Sequence, residues 1–267
     1  MTANSPQKPK TFITNLEDFD SKERSLHMSA AAKNIDRLKE LSIENLWLMG
    51  ANDNELRKIL PLVKVKYLNL YQVLAKDLTI LETLNNIETI VLNWNTKTTY
   101  LWDISKNTNL KTLEITDFSN LEEIDQLSLA HQINNLTFGG GFNKPLKIKT
   151  IQPLSRLTNL KYLCLTNLKI EDDSLKPIGE LKQLETLEIS NQFETKEYAW
   201  LATRLPKTTC KMFQAINSCK IVDAKNKLVW DTMVTGRKKS FLLSTKDKAK
   251  IEKHIKDFEK LKNELAD

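Results

Sequence analysis

The chain has 267 residues, 40% hydrophobic and 28% charged, and its 40 Lys and Arg against 34 Asp and Glu leave a net charge of +6. That is the composition of a core-forming chain and excludes a disordered tail; at this length roughly three quarters of the unfolded surface can be buried without disulfide or metal. Cys164, Cys210 and Cys219, an odd set without CxxC spacing, exclude a secreted disulfide framework and a zinc site and point to a reducing, cytoplasmic compartment.

Residues 1–24 are polar and mixed in charge, and the sequence predicts a tail or N-terminal cap there, with Phe12 to Leu26 folding over the first repeat. The opening MTANSPQKPKTF has no apolar h-region, and nowhere does an apolar run approach the roughly 18 residues of a membrane helix, so neither a signal peptide nor a membrane partner is expected.

From residue 25 to about 216 the pattern L-x-x-L-x-L returns. It opens at Leu38, Val65, Ile87, Leu110, Ile133, Leu160 and Leu184, at intervals of 22 to 27 residues, and an eighth, degenerate copy follows in Thr203 to Ile216. These seven copies resemble the leucine-rich-repeat family. The resemblance implies an α/β solenoid: a curved inner parallel sheet, with short helices or irregular segments on the convex side. Pro153 and Pro177 fit that convex return, where no ladder hydrogen bond is lost. In the family the ninth repeat residue is Asn or Cys; here only Asn95 conforms, so the turns are expected to rely on apolar packing and backbone bonds. Gly139, Gly140 and Gly141 complete neither GxGxxG nor GxxxxGK[ST], which removes the usual nucleotide signature.

Positions three, five and seven of each repeat point to the concave face and include Glu40, Ser42 and Glu44 of the first copy, then Tyr67, Asn69, Tyr71, Asn93, Thr112, Glu114, Thr137, Tyr162 and Glu188, with Trp94 at the rim. None is Lys or Arg. Such a surface suits a protein partner that is basic or rich in hydrogen-bonding groups, with Tyr67, Tyr71 and Tyr162 as anchors, and it opposes a phosphate backbone.

Residues 217–267 form a basic C-terminal module. From Lys220 to the end, 13 Lys and Arg face 8 Asp and Glu. The pattern predicts a tight hairpin turned at Gly236-Arg237, then a helix over 244–266 capped by Ser244 or Thr245, the two capping the open end of the solenoid by burying Trp230, Phe241, Ile255 and Phe258. Lys227, Arg237, Lys238 and Lys239 make a candidate basic patch, which leaves nucleic-acid binding as an alternative function. The segment MVTGRKKSFL and the lysine-rich helix resemble those of bacterial leucine-rich-repeat proteins of unassigned function, a resemblance that supplies no activity.

No catalytic or metal constellation emerges. His27, His131 and His254 fall in separate regions, Cys164 has no histidine at the matching position of either adjacent repeat, and the pairs Glu122-Glu123 and Asp172-Asp173 suit turns. The sequence therefore predicts a cytoplasmic, non-catalytic, cofactor-free protein-binding scaffold, with no small-molecule substrate; an immunity-type inhibitor of a cationic toxin domain is one specific form of it.

Overall fold

An apolar residue at every second position gives each repeat a short strand with one apolar face, and in a stack that face is buried by the same strand of the next repeat. The computed structural model of the chain, which describes residues 5–266, builds this stack. Strands β1 (Ile13–Asn15), β2 (Ser25–Lys33), β3 (Asn45–Met49), β4 (Tyr67–Val73), β5 (Thr89–Asn95), β6 (Thr112–Phe118) and β7 (Asn135–Gly139) lie side by side in chain order. The sheet skips β8 (Leu146–Ile148), continues with β9 (Tyr162–Thr166), skips β10 (Leu168–Ile170) and ends at β11 (Thr186–Ile189). Every pairing in this nine-stranded sheet is parallel, as expected, and β8 and β10 form a small parallel sheet of their own. The returns are mostly short 3-10 turns; one that is not is α1 (Asp53–Ile59), closed at its start by a reciprocal capping box between Asn52 and Glu55. Leu68, Leu70, Ile90, Leu92, Leu113 and Ile115 are at most 1% exposed, so the core runs unbroken through the stack.

The register corrects the first repeat. Asn45 pairs with Tyr67, so that repeat opens at Ile43 and reads IENLWL, 22 residues before Val65. The segment LKELSI begins instead in a 3-10 turn at Ile35–Glu40, where Leu38 is buried in a return. Glu40, Ser42 and Glu44 are therefore absent from the open face, and Asn45, Trp47 and Met49 stand there. A further repeat strand precedes it. In β2, Ser25 pairs with Asn45, which puts Glu23 at position one and Leu26 and Met28 at the buried positions four and six. In the region read as tail or cap, β1 extends the sheet by pairing with β2, and Ile13, Leu16 and Phe19 join the core; residues 1–4 of that expected tail lie outside the described residues.

Position two carries Arg24, Glu44, Lys66, Glu88, Lys111, Asn134, Lys161 and Glu185, nearly alternating in sign across the strands. Opposite charges side by side favour this register, and two of the pairs close as ion pairs, Arg24 with Glu44 at 2.5 Å and Lys161 with Glu185 at 3.2 Å. At or just past the strand ends the backbone turns through the left-handed region at Gly50, Gln72, Trp94, Asp117 and Asn167. Asn95 performs the expected role at position nine: its Nδ2 donates to Ala75 O at 3.0 Å, and its Oδ1 accepts from the amides of Lys97 and Thr98. Asparagine stitching also occurs where it was not expected, one residue before the repeat motif. Asn109 donates to Asn85 O and Asn159 to His131 O, both at 2.8 Å, tying each return to the one before.

After β11, α2 (Thr195–Arg204) replaces the 3-10 return, and the degenerate repeat contributes one parallel bridge, Thr186 with Thr209. The chain then forms an antiparallel sheet of β12 (Ile216–Val222), β13 (Leu228–Val234) and β14 (Phe241–Leu242), followed by α3 (Lys248–Glu264) packed on α2. The tight hairpin turn lies at residues 223–227, organised by the Asp223 carboxylate, which accepts from the amides of Lys225 and Lys227 at 2.8 and 2.9 Å. Gly236-Arg237 belongs to the longer connection between β13 and β14. The helix starts later than expected because the Ser244 hydroxyl and amide are taken by Asp231, at 2.5 and 2.8 Å. Of the four residues expected to be buried, only Phe258 is; Trp230, Phe241 and Ile255 are each about 40% exposed. Among the described residues, no helix is long and apolar enough to cross a membrane.

Candidate functional site

Parallel pairing aligns equal repeat positions, so the open face carries three rows of side chains. Row three holds Ser25, Asn45, Tyr67, Thr89, Thr112, Asn135, Tyr162 and Thr186. Row five holds His27, Trp47, Asn69, Val91, Glu114, Thr137, Cys164 and Glu188, and row seven Ser29, Met49, Tyr71, Asn93, Thr116, Gly139 and Thr166. No lysine or arginine occurs in any row. Neighbouring strands tie these groups together: Asn45 Nδ2 donates to Ser25 Oγ at 3.0 Å, and Asn93 Nδ2 to Thr116 Oγ1 at 2.7 Å.

Aromatic residues concentrate on β3 to β5. The Trp47 and Tyr67 rings pack with centroids 4.9 Å apart, and Tyr71 meets Trp94 edge-on at 5.8 Å. The two pairs differ in what they offer. Trp47 and Tyr67 are buried, 4% and 7% exposed, and form a floor, whereas Tyr71 and Trp94, with Met49 beside Tyr71 in register, are about 40% exposed. Trp94 is held at φ +60, a conformation uncommon for a bulky side chain, and it turns the indole to the rim. Of the three expected tyrosine anchors, Tyr71 projects, Tyr162 is half-buried and Tyr67 is walled in. Trp47 and Met49 were missed with the register of their repeat; the 22-residue interval from Ile43 to Val65, close to the 22 and 23 that follow, was the available signal.

The other expected site residues are mainly polar. Asn69, Asn93, Glu114, Thr137 and Tyr162 are half-buried, Thr112 is buried and Glu188 exposed. Burial pushes the Glu114 carboxyl above its usual range. Burial likewise raises the Tyr162 hydroxyl, with Cys164 and Glu188 adding to it, and raises the Cys164 thiol, so neither ionises readily at neutral pH. Thr137 and Glu188 flank Cys164 in register, and the Glu188 carboxylate adds to the upward push on the thiol. The three glycines at the end of β7, Gly139 to Gly141, serve packing: a Cβ on Gly139 would stand 1.8 Å from the carbonyl oxygen of Thr166. Just beyond them Phe142 is fully exposed.

The expected basic patch is not one patch. Lys227 and Arg237 lie beyond opposite ends of β13, and Arg237 is a clamp. Its guanidinium donates to Asp173 Oδ2 at 2.6 Å and to Glu194 Oε1 at 2.7 Å, which lowers the Glu194 carboxyl. Around it, Gly236 N donates to Asn191 Oδ1 at 2.6 Å and Arg237 N to Phe193 O at 2.7 Å. Lys238 and Lys239 remain exposed, Lys239 beside a cleft lined by Lys253, His254, Asp257 and Phe258. Burial, then Lys239 and Lys253, push the His254 imidazole below its usual value.

Eight repeat strands in one parallel register, with nearly all of their consensus apolar positions buried, decide the architecture. The fold is a leucine-rich-repeat solenoid. No family model matches the chain, and no curated protein does. Among solved structures, an internalin of Listeria monocytogenes is 17% identical with a TM-score of 0.46, covering 68% of this chain and 59% of its own. An internalin C2 of the same organism is 20% identical with a TM-score of 0.39, covering 66% of this chain and 62% of its own. A leucine-rich-repeat protein of Leptospira interrogans is 19% identical with a TM-score of 0.31, covering 71% of this chain and 66% of its own. The chain thus spans less than two thirds of the length of either internalin.

Proposed function

We propose that the chain is a non-catalytic protein-binding scaffold whose partner docks on the open face of the sheet, centred on Tyr71, Trp94 and Met49. The observation that carries this reading is the exposed aromatic pair at the rim, on the same part of the sheet as the buried Trp47–Tyr67 pair and beside two rows of hydrogen-bonding side chains. Rigid aromatics of this kind supply large contact area at small entropic cost, and the neighbouring polar groups set specificity. Glu114 and Glu188, with no lysine or arginine in the three rows, favour a partner that presents basic or polar groups. Free thiols at Cys164, Cys210 and Cys219 support a reducing compartment. The test is affinity capture from the native host with the wild-type chain and with Tyr71→Ala and Trp94→Ala. Each change is expected to cost on the order of 1 to 3 kcal/mol of binding. A partner retained at full affinity by the double variant overturns the docking face.

A further inference from the structure

The hairpin β12–β13 differs from the remainder of the sheet-forming chain. No residue from Ile216 to Asp231 is buried: Ile216 packs against the core at the root, and beyond it the strands alternate between a half-buried and an exposed face. Yet it is apolar: Val222 pairs with Leu228 and Ile221 with Trp230, and Val222, Leu228 and Trp230 are 39%, 42% and 40% exposed. Two strands alone are marginally stable in water, and side chains of this kind left in solvent mark a surface that is covered in use.

The charge around the tip selects the occupant. Lys220, Lys225 and Lys227 are exposed beside these apolar residues, and Asp223, the one acidic residue of the turn, spends its carboxylate on two backbone amides. A second copy would bring lysines against lysines. A nucleic acid would use arginine forks and free ring faces, but Arg237, the module's one arginine, is bound by Asp173 and Glu194, and the two rings nearby, Trp230 and Phe241, pack against each other with centroids 6.1 Å apart. An indole with aliphatic neighbours, fringed by lysines, fits the interface of an anionic lipid bilayer, where the ring sits at headgroup depth and the ammonium groups meet lipid charge. From this juxtaposition we infer that the hairpin tip at residues 220–230 is a docking surface for anionic membrane lipid. It lies apart from the open face of the solenoid and does not depend on the function proposed there.

The test uses the full chain with large vesicles of phosphatidylcholine alone or mixed with phosphatidylserine, read by co-sedimentation. Binding is expected with the mixed vesicles, weakening as salt is raised and with phosphatidylcholine alone. Reversing Lys220, Lys225 and Lys227 to Glu should weaken it on the order of a hundredfold or more. Leu228→Ser with Trp230→Ser, which leaves the charge unaltered, should also release the chain without changing its melting temperature. As an independent readout, brominated acyl chains should quench the fluorescence of the wild type more than that of Trp230→Phe. Tyr71→Ala with Trp94→Ala should bind vesicles normally, which separates this result from the open-face reading. The inference is overturned by failure to sediment with anionic vesicles, or by binding that survives the Leu228 and Trp230 changes. It is equally overturned by equal quenching in Trp230→Phe, by hairpin-dependent self-association in place of vesicle binding, or by tighter binding to DNA than to vesicles.

Discussion

Strands β6 and β13 are each seven residues long and rich in β-branched or apolar side chains, yet they meet opposite fates. In β6, Leu113, Ile115 and Phe118 are fully buried; in β13, Leu228 and Trp230 are each about 40% exposed. The difference lies in what surrounds them. β6 has a parallel neighbour on each side and a stack of returns beneath, whereas the outer half of β13 has only β12 beside it. Strand-forming residues make a strand in both places, but burial, worth about 1.5 to 3 kcal/mol for a large apolar side chain, comes from the repeat stack.

That comparison can be broken first at the core. Leu113→Ala should cost about 2 to 5 kcal/mol in urea unfolding, because the stack above and below cannot close over the cavity. A cost under about 1 kcal/mol would mean that neighbouring repeats collapse freely. At the joint between the regions, Gly236→Ala places a Cβ 2.1 Å from Thr195 Oγ1 at a φ of +124. About 1 to 3 kcal/mol is expected there, with hydrogen exchange showing β13, β14 and α3 losing protection before β4 to β6. In the hairpin, Leu228→Ala should stay within about 0.5 kcal/mol, since the side chain packs on nothing fixed. A loss comparable to that at Leu113 would show that the ribbon is packed in solution.

The sequence displayed the solenoid from Val65 onward because each strand there places apolar residues at positions one, four and six. It obscured the start because Leu38, buried in a return, satisfies the same pattern as Ile43, and because Glu23 gives β2 a charged first position. The open face followed from register: Tyr71, Trp94, Glu114 and Tyr162 stand where their positions put them, while Trp47 and Met49 vanished with a misplaced repeat. How far a ring projects was not legible, because Tyr67 is buried by Trp47, a neighbour 20 residues away. The C-terminal module was the least readable part. Alternation indicates strands, but it does not say that Arg237 is spent on carboxylates from Asp173 and Glu194, or that Trp230 has no core to enter.

The smallest effect expected is electrostatic and sharpens the contrast within the open face itself. Glu114 is half-buried in row five between Val91 and Thr137, and burial raises its carboxyl above the usual 4.5. Well below that value the group is protonated in both folded and unfolded chains and contributes nothing to the pH dependence. As the pH rises through the interval between 4.5 and the raised folded value, the unfolded chain ionises first, unfolding releases a proton, and stability falls. Above the interval the penalty is constant. Glu114→Gln carries no such charge, so it should melt higher than the wild type at pH 7, and the advantage should shrink as the pH is lowered past the carboxyl's usual range. Melting curves of the wild type and of Glu114→Gln from pH 4 to pH 7 decide the matter, and an advantage that stays constant down to pH 4 would show that burial does not oppose ionisation at this position.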